Sequence, residues 1–139
     1  MSDNTLMKKF EEEVWSKVPH REEKDGKVQI VNATPLIDLT NDLKECAKTV
    51  YDVDISNKDF KIYGKFDCTL LTGSIKVRPA VNIIHDAITT GKITSGTTVI
   101  EATSGNFGIA LGLLSKIGVT AIALVSRKLQ EGVFKELRN

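Results

Sequence analysis

The stretch TTVIEATSGNFGIALGLLSKIGVTAIALVS, residues 97–126, decides the fold class. Thr97 to Ala102 is a short apolar run with β-branched residues, the composition of a strand. Ser104-Gly105-Asn106 has the composition of a tight turn. Phe107 to Ile117 reads as a helix that Gly118 stops, since glycine takes the left-handed backbone at a helix end without penalty. Val119 to Ser126 is a second apolar strand. Strand, short turn, helix and strand at this spacing form a βαβ unit, whose strands pair in parallel. The fold class is therefore α/β with a parallel sheet.

Upstream, the segment CTLLTGSIKVRP leads into a helix that runs to about Thr90 and ends at Gly91. Pro79 is tolerated only in a first turn, so this helix should start near Lys76 to Arg78. Ala80, Val81, Ile83, Ile84, Ala87 and Ile88 supply its buried stripe. Phe60 to Phe66 alternates as a strand would. Asn41 to about Tyr51 predicts a helix with Leu43, Cys46, Ala47 and Val50 on one side, followed by a loop from Asp52 to Asp59. Val28 to Val31 is a short strand ended by Asn32-Ala33-Thr34-Pro35, and the polar PHREEKDGK before it reads as a loop. From Asn4 to about Lys17, Leu6, Met7, Phe10, Val14 and Trp15 recur at helical intervals, with Asn4 or Thr5 as the cap. At the other end, Leu129 to Leu137 begins another helix with no strand after it, so the expectation is a truncated sheet that belongs to a larger unit.

Composition narrows the class further. The 139 residues are 41% apolar, 27% charged and 6% aromatic, which argues against a disordered or low-complexity chain. Nineteen Lys and Arg against 18 Asp and Glu leave a net charge of +1, so no global field points to nucleic acid or an acidic membrane. No run approaches the ~18 apolar residues of a membrane span, and the N-terminus turns acidic where a signal peptide needs an apolar stretch. A soluble, cytoplasmic chain is expected. Cys46 and Cys68 fit neither a disulfide framework nor a zinc spacing and read as buried or incidental thiols. His20 in a charged loop and His85 on a helix have no ligand set around them, and no metal site is expected. Glu11 to Glu13 read as a solvated helix face, and Trp15 as packed against a core or a partner subunit.

Two segments can carry chemistry. Glu101 to Gly108 leaves the carboxyl end of a parallel strand and opens a helix, the edge at which open α/β sheets bind ligands. Backbone N–H groups there, with Thr103, Ser104 and Asn106, suit a carboxylate or phosphate. The plain alternative is an ordinary capped turn in which Ser104 or Asn106 only satisfies helix donors. Gly105, Gly108 and Gly112 are spaced too widely for the GxGxxG dinucleotide pattern. In the second segment, Thr72 to Arg78, a lysine where a loop enters a helix can act as an amine nucleophile, although a lone lysine is usually just solvated.

The order of these segments is more informative than either one. GSIKVR followed by TSGNFG, with Asn32-Ala33-Thr34-Pro35-Leu36 upstream, resembles the fold-type II pyridoxal-phosphate enzymes of the cysteine synthase and cystathionine β-synthase family, over roughly Val31 to Asn139. These enzymes carry an SxKxR lysine motif, a TSGNxG loop and an NxTPL segment. The resemblance implies pyridoxal 5'-phosphate as cofactor, with Lys76 as the lysine that holds it and catalyses the reaction. It implies that Asn106 binds the cofactor's ring hydroxyl, and that Thr103, Ser104, Gly105, Asn106 and Phe107 bind a small amino-acid substrate. Arg78 is expected to be a structural ion-pair residue. The implied activity is β-replacement or β-elimination, a transferase or lyase of amino-acid biosynthesis, with residues beyond this chain needed for it. The alternative is a non-catalytic truncated relative that serves as an oligomerisation or regulatory module.

The resemblance also implies a parallel-sheet three-layer fold with residues 1–42 in the larger domain and 43–139 in the small α/β domain. The partners it implies are a second copy in a homodimer, or a full-length relative. Two positions depart from the family pattern. Val77 stands where Asp is common, and Phe107 where Thr is common. Phe107 suggests a different amino-acid substrate or a re-shaped pocket, as in diaminopropionate-synthase-like relatives. The family's glycine-rich phosphate cup and the hydroxyl facing the ring nitrogen lie further downstream than this sequence reaches.

Overall fold

A computed structural model of the chain describes residues 4–128 and 130–138. By contacts it divides into two compact units, Met1–Ala33 with Cys68–Asn139, and Thr34–Asp67.

The discontinuous unit opens with helix α1 (Asn4–Glu13), which includes both residues expected as caps, and a 3-10 turn at Trp15–Lys17. Strands β1 (His20–Lys24) and β2 (Lys27–Val31) follow as an antiparallel hairpin. The sequence reading of residues 19–27 as a loop is corrected here. Asp25 and Gly26 both have positive φ, +53° and +70°, the arrangement of a type I′ two-residue turn that matches strand twist. Polar composition hid the strand, but Asp-Gly was its signal. The unit resumes with a short 3-10 turn at Asp67–Thr69, which straddles the unit boundary, and helix α3 (Val77–Thr89). Strand β5 (Thr98–Ala102), helix α4 (Asn106–Leu111), a 3-10 segment at Gly112–Ile117 and strand β6 (Thr120–Leu124) complete the expected βαβ unit. The strands pair in parallel with Val99 opposite Ala121 and Glu101 opposite Ala123. Helix α5 (Glu131–Arg138) follows, and Leu129, its expected first residue, lies outside the described residues.

One core holds this unit. Phe10, Val14, Val77, Val81, Ile88 and Leu114 are fully buried, and Ile84 and Val119 nearly so. Removing each such side chain from water contributes about 1.5–3 kcal/mol. Trp15, expected to pack on a core or a partner, packs partly buried against this core, as does Phe107. In the α3 stripe, Val77 joins Ala80, Val81, Ile84 and Ile88, whereas Ile83 is exposed. Ile100, Ile122 and Leu124 are also exposed, on one face of β5 and β6.

The second unit contains β3 (Leu36–Asp38), α2 (Thr40–Tyr51) and β4 (Tyr63–Lys65), with β3 and β4 antiparallel. Strand β3 was not expected from Asn32-Ala33-Thr34-Pro35, which ends one strand but also leads into this one. Its buried residues are polar, Thr34 and Thr40. Thr34 Oγ1 donates to Asp67 Oδ1 at 2.7 Å, and Thr40 Oγ1 accepts the Ile62 N–H at 3.0 Å. Hydrogen bonds from the Thr40 side chain and backbone, and then Lys61, hold the Asp38 carboxyl below its usual range against a smaller opposing effect of burial. Lys44 reaches the carbonyls of Ser56 and Lys58 and lies over the Phe60 ring. Cys46 and Cys68 are both exposed, which removes the buried reading and leaves the incidental one.

Candidate active site

The lysine loop is built by a turn and a helix start. The Gly73 N–H donates to Leu70 O at 2.7 Å, and Gly73 has φ +67°, a conformation that favours glycine. The Ser74 hydroxyl oxygen accepts the Lys76 N–H at 3.3 Å, and the Lys76 carbonyl accepts the Ala80 N–H at 3.2 Å, which begins α3. Val77, the next residue, is fully buried in the core. An apolar side chain suits that position, where burying an ionised carboxylate would be costly. Lys76 itself is exposed, and its amine takes part in no hydrogen bond or ion pair among the described residues. Thr72, four residues earlier, has a buried hydroxyl oxygen with no hydrogen-bond partner.

The second loop continues the pairing of β5 and β6, since the Thr103 N–H donates to Leu124 O at 2.9 Å. Thr103 Oγ1 then accepts the Gly108 N–H at 3.0 Å and the Gly105 N–H at 3.4 Å. It is Thr103, and neither Ser104 nor Asn106, that satisfies the helix donors. The residue at the cap position is Gly105, which has no side chain to offer. That glycine adopts φ +145°, which side-chain-bearing residues rarely adopt. A Cβ on Gly108 would stand 2.5 Å from Thr103 Cγ2 and 3.0 Å from Leu137 Cδ2, so the closure of this loop requires glycine there as well.

Ser104 and Asn106 are exposed and make no side-chain hydrogen bond among the described residues. They are free to bind a ligand. Phe107, by contrast, is half-buried against the core. Lys76 and the Ser104–Asn106 segment precede helices α3 and α4, which pack on each other. No hydrogen bond joins Lys76 to that segment among the described residues. Also among the described residues, no three His, Cys, Asp or Glu side chains group to hold a metal ion. Two further features were missed in the sequence: the capping role of Thr103, and an open cavity lined by Trp15, His20, Arg21, Ile30, Arg78 and Asn82. The glycine at the cap position was the available signal for the first, because it forces the acceptor to come from elsewhere.

The site residues fit a pyridoxal group in part. A free exposed amine, an unengaged amide and an unengaged hydroxyl are the donors that such a group and an amino-acid carboxylate need. Comparison with known proteins bears on the family. The chain is 36% identical over 96 residues to a cysteine synthase of Aquifex aeolicus (strain VF5), covering 69% of this chain and 27% of that protein. It is 33% identical over 112 residues to an N-(2-amino-2-carboxyethyl)-L-glutamate synthase of Ralstonia nicotianae (strain ATCC BAA-1114 / GMI1000), covering 80% and 30%. The crystal structure of an O-acetylserine dependent cystathionine β-synthase from Helicobacter pylori superimposes with a TM-score of 0.61 at 34% identity, over 76% of this chain and 31% of that one. The chain thus spans less than a third of the length of these relatives. The sequence pattern of pyridoxal-phosphate dependent enzymes matches residues 29–139, and the chain belongs to that family.

Proposed function

We propose that the chain supplies the lysine and the carboxylate-binding loop of a pyridoxal-phosphate-dependent catalyst of β-replacement or β-elimination on a small amino acid, of the cysteine synthase type. The observation that carries this reading is the division of labour in the second loop. Thr103 Oγ1 closes the loop on its own N–H groups, which leaves Ser104 and Asn106 uncommitted.

In this reading Lys76 holds the cofactor through its amine and, once displaced, takes the proton from the substrate α-carbon. The Asn106 amide donates to the cofactor's ring hydroxyl. Ser104 and the neighbouring backbone hold the substrate carboxylate, while Thr103 and Phe107 shape the loop from behind. The bound cofactor supplies an electron sink for the pair left when the α-proton departs. Residues beyond this chain complete the pocket, with residues 1–42 in the larger domain and 43–139 in the small one, in a cytoplasmic homodimer. Phe107 and the similarity to a synthase whose product carries a glutamate unit together favour a substrate pocket different from that of cysteine synthase. The exposed face of Ile100, Ile122 and Leu124 favours the second reading, a non-catalytic module that associates with a full-length relative.

The test is to add pyridoxal phosphate to the chain within an assembly that contains the whole pocket, record visible absorption, reduce with borohydride and map the labelled peptide. The label is expected on Lys76 and absent in Lys76→Ala. Labels scattered over surface lysines, or a spectrum unchanged by Lys76→Ala, would overturn the assignment.

A further inference from the structure

Strands β1 and β2 form a two-stranded sheet, and among the described residues no backbone hydrogen bond joins β2 to anything but β1. The Asp25-Gly26 turn fixes which groups that leaves open. Lys24 and Lys27 close the two-residue turn as a hydrogen-bonded pair, and such pairs alternate with open ones along an antiparallel ladder. Glu22 with Gln29 and His20 with Val31 are therefore bonded pairs, whereas Glu23 with Val28 and Arg21 with Ile30 are open ones. The N–H and C=O groups of Val28 and Ile30 thus point away from β1, along a free edge.

The two edges of the hairpin differ in character. The β1 edge, His20-Arg21-Glu22-Glu23-Lys24, is charged at all positions but His20, the pattern that guards an edge against pairing. The β2 edge, Lys27-Val28-Gln29-Ile30-Val31, carries a charge only at Lys27. Val28 and Ile30 share one face of it and are 66% and 55% exposed. Two-stranded ribbons are marginal in water and gain from further strands.

An occupant of this edge must be extended, apolar at alternate positions and free of opposed charge. A second β2 meets those terms. Laid antiparallel about a two-fold axis at Gln29, Val28 stands opposite Ile30 of the second copy, and Ile30 opposite its Val28. Each of these pairs exchanges two hydrogen bonds through the outward groups. Four apolar side chains then meet on one face, with Arg21 and Glu23 of each copy outside them. Lys27 falls opposite Val31, so no like charges are opposed. The net charge of +1 leaves little repulsion between copies. We infer that the β2 edge is an interaction surface for a second copy of this chain, the two hairpins joining as one four-stranded antiparallel sheet. Five residues of edge bury less than the roughly 1,200–2,000 Å² of a stable interface, so the pairing is reversible and depends on concentration.

This pairing uses no residue of the lysine loop and needs no cofactor, so it stands or falls apart from the reading above. Gln29 faces Gln29 of the second copy in an open pair, with Cα atoms about 4.5 Å apart, within the roughly 4.4–6.8 Å of a disulfide. The two copies of Lys27 lie roughly 13 Å apart, four residues along the ladder. In a Cys46→Ser, Cys68→Ser background, which removes the exposed native thiols, Gln29→Cys should cross-link the full chain about tenfold faster than Lys27→Cys. In sedimentation the parent chain should gain mass with concentration. Val28→Pro removes an N–H that the hairpin does not use, so it should weaken association by about tenfold with an unchanged circular dichroism spectrum. Equal cross-linking at positions 27 and 29, or a chain monomeric at every concentration, would overturn the pairing. Association that survives Val28→Pro through another surface would overturn it too, while leaving the homodimer of the reading above intact.

Discussion

Helices α2 and α3 carry apolar stripes of the same period and meet different fates. In α3, Val77, Val81 and Ile88 are fully buried and Ile84 nearly so, whereas in α2 Leu43 is 40% exposed and Val50 66% exposed. The difference lies in what each unit can offer as cover. The larger unit brings α1, the 3-10 segment after α4 and α4 itself against one core. The unit of residues 34–67 is too short to enclose a core of its own, and its interior is instead a set of hydrogen bonds centred on Thr34, Thr40 and Lys44. Periodicity therefore tells which residues share a face, and the surrounding chain decides whether that face is covered.

Three substitutions sharpen or break this contrast. Phe10→Ala should have the largest effect, a loss of about 3–5 kcal/mol in urea or thermal unfolding, because it empties the centre of the apolar core. Thr40→Val keeps the shape but orphans the Ile62 N–H, so it should cost about 1–3 kcal/mol. Amide exchange at Ile62 should speed up while exchange in α3 stays unchanged. Val50→Ala on the open face of α2 should change stability by no more than about 0.5 kcal/mol. A loss of 2 kcal/mol or more at Val50 would show that the face is covered in solution, and the contrast would fail.

Legibility in the sequence follows the same line. The βαβ unit was readable because Gly118 and the apolar runs on either side act locally. The start of α3 was readable because Pro79 constrains the backbone whatever surrounds it. The β1–β2 hairpin was missed because His20 to Lys24 is polar and has no buried face to give it a period. Strand β3 was missed because three residues are too few to alternate. At the site, motif order placed Lys76 and residues 103–108, but the role of Thr103 depends on a backbone turn that brings Gly108 back to it. Gly105 at the cap position signals that another side chain must accept from the helix donors, but it does not say which one. The exposure of Ser104 and Asn106 is a consequence of the same turn.

The packing of α1 against the segment Gly112–Ile117 also bears on how the chain is made. The apolar side of α1, with Leu6 and Phe10, is made well before α3 and the segment Gly112–Ile117, the distant elements that pack against it. Contacts that distant in sequence close slowly, and apolar surface left open meanwhile is prone to aggregate. Expression yield at a given temperature should therefore respond more to helper chaperones and to the rate of translation than to substitutions in the locally closed β1–β2 hairpin.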